Sequence, residues 1–302
     1  MKIKNVLKYA RHPLELFYKM ARKGKLNWMP DKLYLKLMFR RFTGKSLRLR
    51  NPRTFNEKLQ WIKLYDRKPE YAVMVDKFAV KEYVAKKIGA QYVVPTIKCW
   101  DKIEDVSFDG LPEKFVMKCT HDSGGLVICK DKSSLDRDAA LKKIEKSFNF
   151  DYFPLWREWP YKGVKPRIIV EQFLDDGNAS LNDYKVLCFN GVPRLIELHR
   201  GRYQKHTQDF YDEKWNHLPF RQGHDEIAGD VYAKPAFLDE MLRLSEILSK
   251  DIPHVRVDWY YVENKLYFGE LTFFDSSGFD DFDPAEYNEI VGSWLQLPAK
   301  RS

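Results

Sequence analysis

The stretch from His254 to Thr272 constrains this 302-residue chain more than any other. His254–Val262 and Lys265–Thr272 read as two strands that turn at Glu263-Asn264. Strand alternation puts Arg256 and Asp258 on one face, with Val257 and Trp259 on the other. On the returning strand Glu270 and Thr272 likewise share a face. A two-residue turn sets Asp258 opposite Gly269 and Glu270 opposite Val257, and one extra residue, a bulge, brings Asp258 and Glu270 together. Two carboxylates converging beside an arginine make a hard-cation site of the kind that holds Mg²⁺ between phosphate oxygens. The simpler outcome is an Arg256–Glu270 ion pair on an exposed sheet face.

A second constraint is Lys118, in the middle of the apolar run Phe115–Cys119. A lysine buried there requires an anionic partner, a phosphate or a carboxylate. The run continues into His121-Asp122-Ser123-Gly124-Gly125, where paired glycines let backbone N–H groups approach an anion, or simply make a hairpin turn. No GxxxxGK[ST] loop is present. A third strand, Ile168–Leu174, ends in Asp175-Asp176-Gly177, whose backbone and carboxylates could hydrogen-bond an adenine and its ribose.

The rest of the chain reads as α+β. Helices fill the first 66 residues, one of them starting at a capping box of Thr54 and Glu57, and another spans Asp76–Ile88. Strands follow at Val93–Ile97, Phe115–Cys119, Leu126–Lys130 and Ile168–Leu174, with a helix at Asp136–Phe148 and a mobile loop expected at Tyr152–Pro166. Strands at Tyr184–Phe189 and Arg194–His199, a helix at Pro235–Lys250, the hairpin and a helix at Pro284–Leu297 complete two α+β blocks meeting near residue 175.

Charge is distributed unevenly. The net charge is +9, yet residues 1–50 hold 15 Lys and Arg against Glu15 and Asp31 alone, leaving 37 bases and 41 acids for the remainder. An acidic body does not track a phosphate backbone, so no nucleic-acid partner is expected. Within the basic segment Lys32, Lys36 and Arg40 share a helix face turned from Leu35, Met38, Phe39 and Phe42, suited to anionic lipid or to solvent. No run of about 18 apolar residues exists, and Lys4, Lys8, Arg11 and Glu15 interrupt every signal-peptide centre. The expectation is a cytoplasmic protein, with peripheral contact at the inner membrane face through residues 1–50. Cys99, Cys119, Cys129 and Cys188 lack CxxC spacing and are expected as buried thiols. Neither GxSxG nor HExxH occurs, and the Asp-x-Asp weighed for a glycosyltransferase, Asp281-Phe282-Asp283, lies near the C-terminus.

The lysine strand with its glycine loop, the Glu171-Gln172-Phe173-Leu174 hinge and the Arg256/Asp258 and Glu270 strands, in that order, resemble the ATP-grasp superfamily. Asn51-Pro52-Arg53-Thr54-Phe55-Asn56-Glu57, Asp76-Lys77, Tyr92-Val93-Val94-Pro95, Lys114 to Gly125, Arg157-Glu158-Trp159-Pro160-Tyr161, Asp183-Tyr184-Lys185 and Arg256-Val257-Asp258-Trp259-Tyr260 look like the TupA-like ATP-grasp family of polysaccharide biosynthesis, from about residue 50 onward. The resemblance implies an ATP-grasp fold, two α+β subdomains clasping ATP behind an N-terminal helical region. The implied divisions are residues 1–90, 91–175 and 176–302.

It further implies that Lys118 binds the α/β phosphates under a loop of Ser123, Gly124 and Gly125. Glu171 and Phe173 would frame adenine, Asp175 or Asp176 the ribose, and Lys185 the terminal phosphates. Asp258, Glu270 and Thr272 would hold Mg²⁺, Thr272 standing where many members have Asn, with Asp275 as a substitute ligand. Arg256 would stabilise developing charge, and Arg202 and His206 would meet a carboxylate or sugar acid. The implied reaction is ATP- and Mg²⁺-dependent ligation of a carboxylate to an amine through an acylphosphate, on a glycan or uronic-acid substrate of capsule, O-antigen or teichuronopeptide type. A glycosyltransferase and an ATP-grasp phosphotransferase are the alternatives.

Overall fold

The computed structural model describes residues 12–177, 180–202 and 205–300. Among the described residues five helices come first: α1 (Pro13–Ala21), α2 (Asp31–Thr43), α3 (Phe55–Tyr65), α4 (Tyr71–Val75) and α5 (Ala79–Ile88). The sequence-expected helix over Asp76–Ile88 is interrupted at its start, because Asp76 accepts from the Phe78 and Ala79 amides and so caps α5 from outside. The box at α3 forms as its spacing requires: Thr54 accepts from the Glu57 amide while the Glu57 carboxylate takes the Thr54 amide.

A four-stranded antiparallel sheet follows, made of β1 (Thr96–Trp100), β2 (Phe115–Cys119), β3 (Leu126–Cys129) and β4 (Ile168–Gln172), in the order β1-β4-β2-β3. Helix α6 (Arg137–Phe148) covers one side, where Phe115, Met117 and Cys119 meet Ala140 and Ile144. Alternation then turns Val116 and Lys118 to the opposite face. The first strand lies at Thr96–Trp100 rather than Val93–Ile97, and exposes Cys99, the one thiol of the four that is not buried.

A six-stranded sheet completes the core: β5 (Asp183–Phe189), β6 (Val192–Arg200), β7 (Thr207–Tyr211), β8 (His217–Leu218), β10 (His254–Val262) and β11 (Lys265–Thr272), in the order β11-β10-β5-β6-β7-β8. Short strands β9 (Arg221–Gln222) and β12 (Phe282–Asp283) pair separately. Helix α8 (Leu238–Ser249) packs on one face, where the Trp259 indole donates to Ser245. The opposite face divides in two. Toward one end Phe189 and His254 pack under Phe55 of α3; toward the other, Lys185, Arg256 and Asp258 stand together. Helix α9 (Tyr287–Trp294) closes against α3.

The helices before residue 90 share one continuous apolar core with this second sheet, to which α2 gives Tyr34, Leu35, Met38 and Phe39. Between the sheets, Tyr152–Pro166 is a pinned bridge where the sequence suggested a mobile loop. It forms α7 (Phe153–Trp156) and a 3₁₀ turn at Trp159–Gly163. Arg157, buried, donates to the carbonyls of Leu26 and Met29 at 3.0 and 3.3 Å and lies 4.4 Å from the Tyr34 ring centre. A guanidinium removed from water needs such acceptors, and the α1–α2 connection supplies them, with the Asp31 carboxylate of α2 3.4 Å away. Leu35→Ala should therefore destabilise the whole protein by about 2–5 kcal/mol, read from the denaturant midpoint. A change confined to local fraying of α2 would show that the helices are an appendage.

Candidate functional site

The β10/β11 register decides the site. From Val262↔Lys265 to Trp259↔Phe268 the strands pair without a break, and beyond a bulge the pairing resumes one residue later at Val257↔Leu271. Gly269 and Glu270 together therefore oppose Asp258, the arrangement that joins the two carboxylates. Glycine eases this bulge: a Cβ on Gly269 would lie a tight 3.2 Å from the Asp258 carbonyl oxygen and 3.1 Å from the Tyr260 ring.

On the neighbouring strand Lys185 is registered against Asp258, and its ammonium stands 2.5 Å from the carboxylate. Arg256 grips the same carboxylate with two N–H groups at 2.7 and 2.8 Å, and also donates to Asp275 and, at 3.3 Å, to Thr272. Glu270 lies 3.7 Å from Arg256 and from Lys77. Burial penalises the Asp258 anion, but Arg256 and Lys185 outweigh it and hold the carboxyl below the usual aspartate range. Asp275 goes the other way: burial and the nearby Glu197 push it up. One oxygen of Asp275 and one of Glu197 are buried without a hydrogen-bond partner. Orphaned carboxylate oxygens near Asp258 and Glu270 are hard donors of the kind a divalent cation takes.

The opposing sheet contributes Lys118. Its ammonium is 2.6 Å from Glu171, whose second oxygen is 2.6 Å from Lys81 of α5. Burial raises the Glu171 pKa, yet the two lysines prevail and keep it low. Lys118 and Glu171 line a cavity of about 210 Å³ walled by Val94, Val116, Leu126, Ile128 and Phe173, with Asp175 and Asp176 at its rim. Asp175 is also 2.9 Å from Lys114. A second, polar cavity of about 720 Å³ adjoins it, bordered by Lys77, Ser123, Lys185, Arg256, Glu270 and Thr272. Arg202, ion-paired to Asp183, lines both.

The glycine loop sits between the cavities and α6. Gly124 adopts φ +91°, and a Cβ at Gly125 would collide with Ser147 of α6. Lys77 donates to the Asp122 carbonyl at 2.5 Å, which ties the loop to the helical region. Across the polar cavity Glu197 accepts from His199 Nε2 at 2.5 Å, and His199 Nδ1 stands 2.7 Å from Nε2 of His206. The next gap, His206 Nδ1 to Asp225, opens to 3.4 Å. A neutral His206 imidazole has one N–H to share between His199 and Asp225. Burial, the largest influence on His206, lowers its pKa and favours that neutral form.

The structure thus brings Lys118, Glu171, Phe173, Asp175 and Asp176 around one cavity, and Ser123, Lys185, Arg256, Glu270 and Thr272 around the other. His206 reaches the second through His199. Lys81, Glu197 and His199 were not singled out from sequence. For Glu197 and His199 the signal existed, since they alternate on β6 among apolar residues. Lys81 looks like any solvated helix lysine until β4 is placed against α5. Asp281-Phe282-Asp283 does not converge on a metal: Asp281 pairs with Lys45, Asp283 with Arg221, and Phe282 is core.

A family model described as TupA-like ATPgrasp matches residues 57–296. Among solved structures, the D-alanine–D-alanine ligase of Bacillus anthracis complexed with ATP aligns with a TM-score of 0.39 and 16% identity, over 67% of this chain and 54% of that one. The Helicobacter pylori D-alanine–D-alanine ligase gives 0.43 and 15%, over 80% and 69%. A RimK domain ATP-grasp protein from Sphaerobacter thermophilus gives 0.41 and 11%, over 82% and 79%. The chain spans little more than half the length of the B. anthracis ligase. No curated protein matches the sequence.

The Glu171 pair has a measurable signature. A carboxylate depressed in the folded state stabilises fully above the unfolded glutamate value of about 4.3 and loses that contribution as pH falls through the lower folded value. Wild type should therefore exceed Glu171→Gln in urea midpoint at neutral pH. The gap should close as the solution is acidified below that unfolded value, and a gap independent of pH would refute the pairing.

Proposed function

The chain belongs to the TupA-like ATP-grasp family, and on that premise we propose that it is an ATP- and Mg²⁺-dependent carboxylate–amine ligase that modifies a cell-surface polysaccharide of capsule, O-antigen or teichuronopeptide type. The observation that carries the reading is the two-part cleft, an apolar slot beside a charged cavity lined by Lys185, Arg256 and Glu270, with Asp258 registered behind it beside Glu270. The slot suits a purine. Lys118 at its inner end is placed for phosphate oxygens, exchanging Glu171 for them, and Asp175 and Asp176 at its rim for ribose hydroxyls.

Mg²⁺, held by Asp258 and Glu270 with Thr272 or Asp275 alongside, would supply charge neutralisation at the terminal phosphates. Lys185 and Arg256, fixed by their shared carboxylate, present preorganised positive charge where phosphoryl transfer to a substrate carboxylate develops negative charge. Arg202 suits the acceptor's acid group. His206, kept neutral by burial and bonded to cavity-lining His199, is the base at hand for the proton that the amine gives up. Positioning and electrostatics do the catalytic work, so no nucleophilic side chain is called for.

Incubation with Mg²⁺-ATP and uronic-acid oligosaccharides should release ADP and phosphate only when an amine is added. Lys185→Ala and Glu270→Ala should each lower turnover by about 10²-fold or more with the circular dichroism spectrum retained. ADP release indifferent to amine would instead identify a phosphotransferase, and sugar transfer from a nucleotide sugar without ATP consumption would overturn the proposal.

A further inference from the structure

The excess positive charge of the N-terminal region is left unused by the cleft. Its acids are engaged within the fold: Glu15 pairs with Arg41 at 2.7 Å, and Asp31 with Arg67 at 2.7 Å. On α2 the buried side is Tyr34, Leu35, Met38 and Phe39, so Lys32, Leu33, Lys36 and Arg40 face outward together. Leu33 is 51% exposed, and Trp28, in the connection just before α2, is 76% exposed. The Trp28 N–H already donates to the Lys25 carbonyl at 3.1 Å, so the ring offers only apolar surface outward. Beside these residues Lys32, Lys36, Arg48, Arg50 and Arg53 line a groove of about 590 Å³.

We propose that this face docks on an anionic bilayer, with Trp28 and Leu33 entering the interface and the basic groove receiving lipid phosphates. Charge complementarity selects the occupant. Exposed tryptophan and leucine ringed by lysine and arginine combine apolar insertion with attraction to acidic head groups. The location is apt: Phe42, nine residues beyond Leu33 and about 14 Å along the same helix, lines the polar cavity, so a bilayer here lies within reach of the cleft. The proposal does not rest on what the cleft ligates. No helix of the described residues is long and apolar enough to cross a membrane, so contact through α2 would be at the surface.

Removing residues 1–50 is no test, because it strips α2 from the core. Point variants on the exposed face serve, using the full chain and sedimentation with vesicles. Wild type should partition onto phosphatidylcholine vesicles containing phosphatidylglycerol and not onto phosphatidylcholine alone. Lys32→Gln with Lys36→Gln should lower the partition coefficient about 25-fold, roughly fivefold per charge. Trp28→Ser with Leu33→Ser should lower it several-fold at unchanged charge, and Trp28→Phe should remove quenching by brominated lipid. All variants should keep the wild-type dichroism spectrum and urea midpoint. Equal binding to neutral vesicles, indifference to either double substitution, or a single-stranded oligonucleotide that displaces the vesicles and binds Trp28→Ser/Leu33→Ser undiminished would each overturn the proposal.

Discussion

The grip of Lys185 and Arg256 on the Asp258 carboxylate is the constraint around which the rest of the site is arranged. All three are buried in the middle of the second sheet, where an isolated charge would cost several kcal/mol. The pair is tolerable only because its geometry is enforced by backbone pairing: Lys185 is registered directly against Asp258, and Arg256 reaches the same carboxylate from two residues before it on β10. Breaking one partner strands the others. That dependence ties the cluster to the strand register, since a slip of one residue in β10 would turn Arg256 and Asp258 to the opposite, apolar face, away from Lys185.

From that cluster the architecture spreads in both directions. The bulge at Gly269 carries Glu270 to the same place as Asp258, and Arg256 continues to Asp275, in a 3₁₀ turn whose neighbour Ser277 is bonded to Glu158. Glu158 adjoins Arg157, which in turn is anchored on the α1–α2 connection. The helical region is thereby connected to the charged cavity by side chains and backbone acceptors, and not only by apolar packing. On the opposing sheet the Lys118–Glu171–Lys81 triad plays the matching part. Each side of the cleft keeps its cations beside carboxylates.

Much of this is legible in the residues. The alternation of β2 and β10, the apolar stripe of α2 and the Thr54/Glu57 box follow from side-chain periods and backbone donors that act over a few residues. Lys118 stands out because charge within an apolar strand demands a partner, Asp258 because alternation sets it beside Arg256 and near Glu270, and Lys185 through the family resemblance. The partners themselves were less visible. Lys81 reaches Glu171 from a helix about ninety residues earlier, and the buried fate of Arg157 depends on carbonyls at Leu26 and Met29. The same charged side chain is solvated or buried according to what the fold lays over it.

By itself the sequence determined the elements, the order of the two α+β blocks, the family and the groups that must seek counter-ions, because these depend on local period, on composition and on motifs in a fixed order. Tertiary structure alone decided whether Asp258 meets Gly269 or Glu270, a choice made by one bulge that a glycine permits. It also decided that Tyr152–Pro166 is a buried bridge, that α2 belongs to the main core, and that its outer face leaves Trp28 and Leu33 in solvent. Each of these turns on contacts between segments far apart in the chain, whose partners no local pattern specifies.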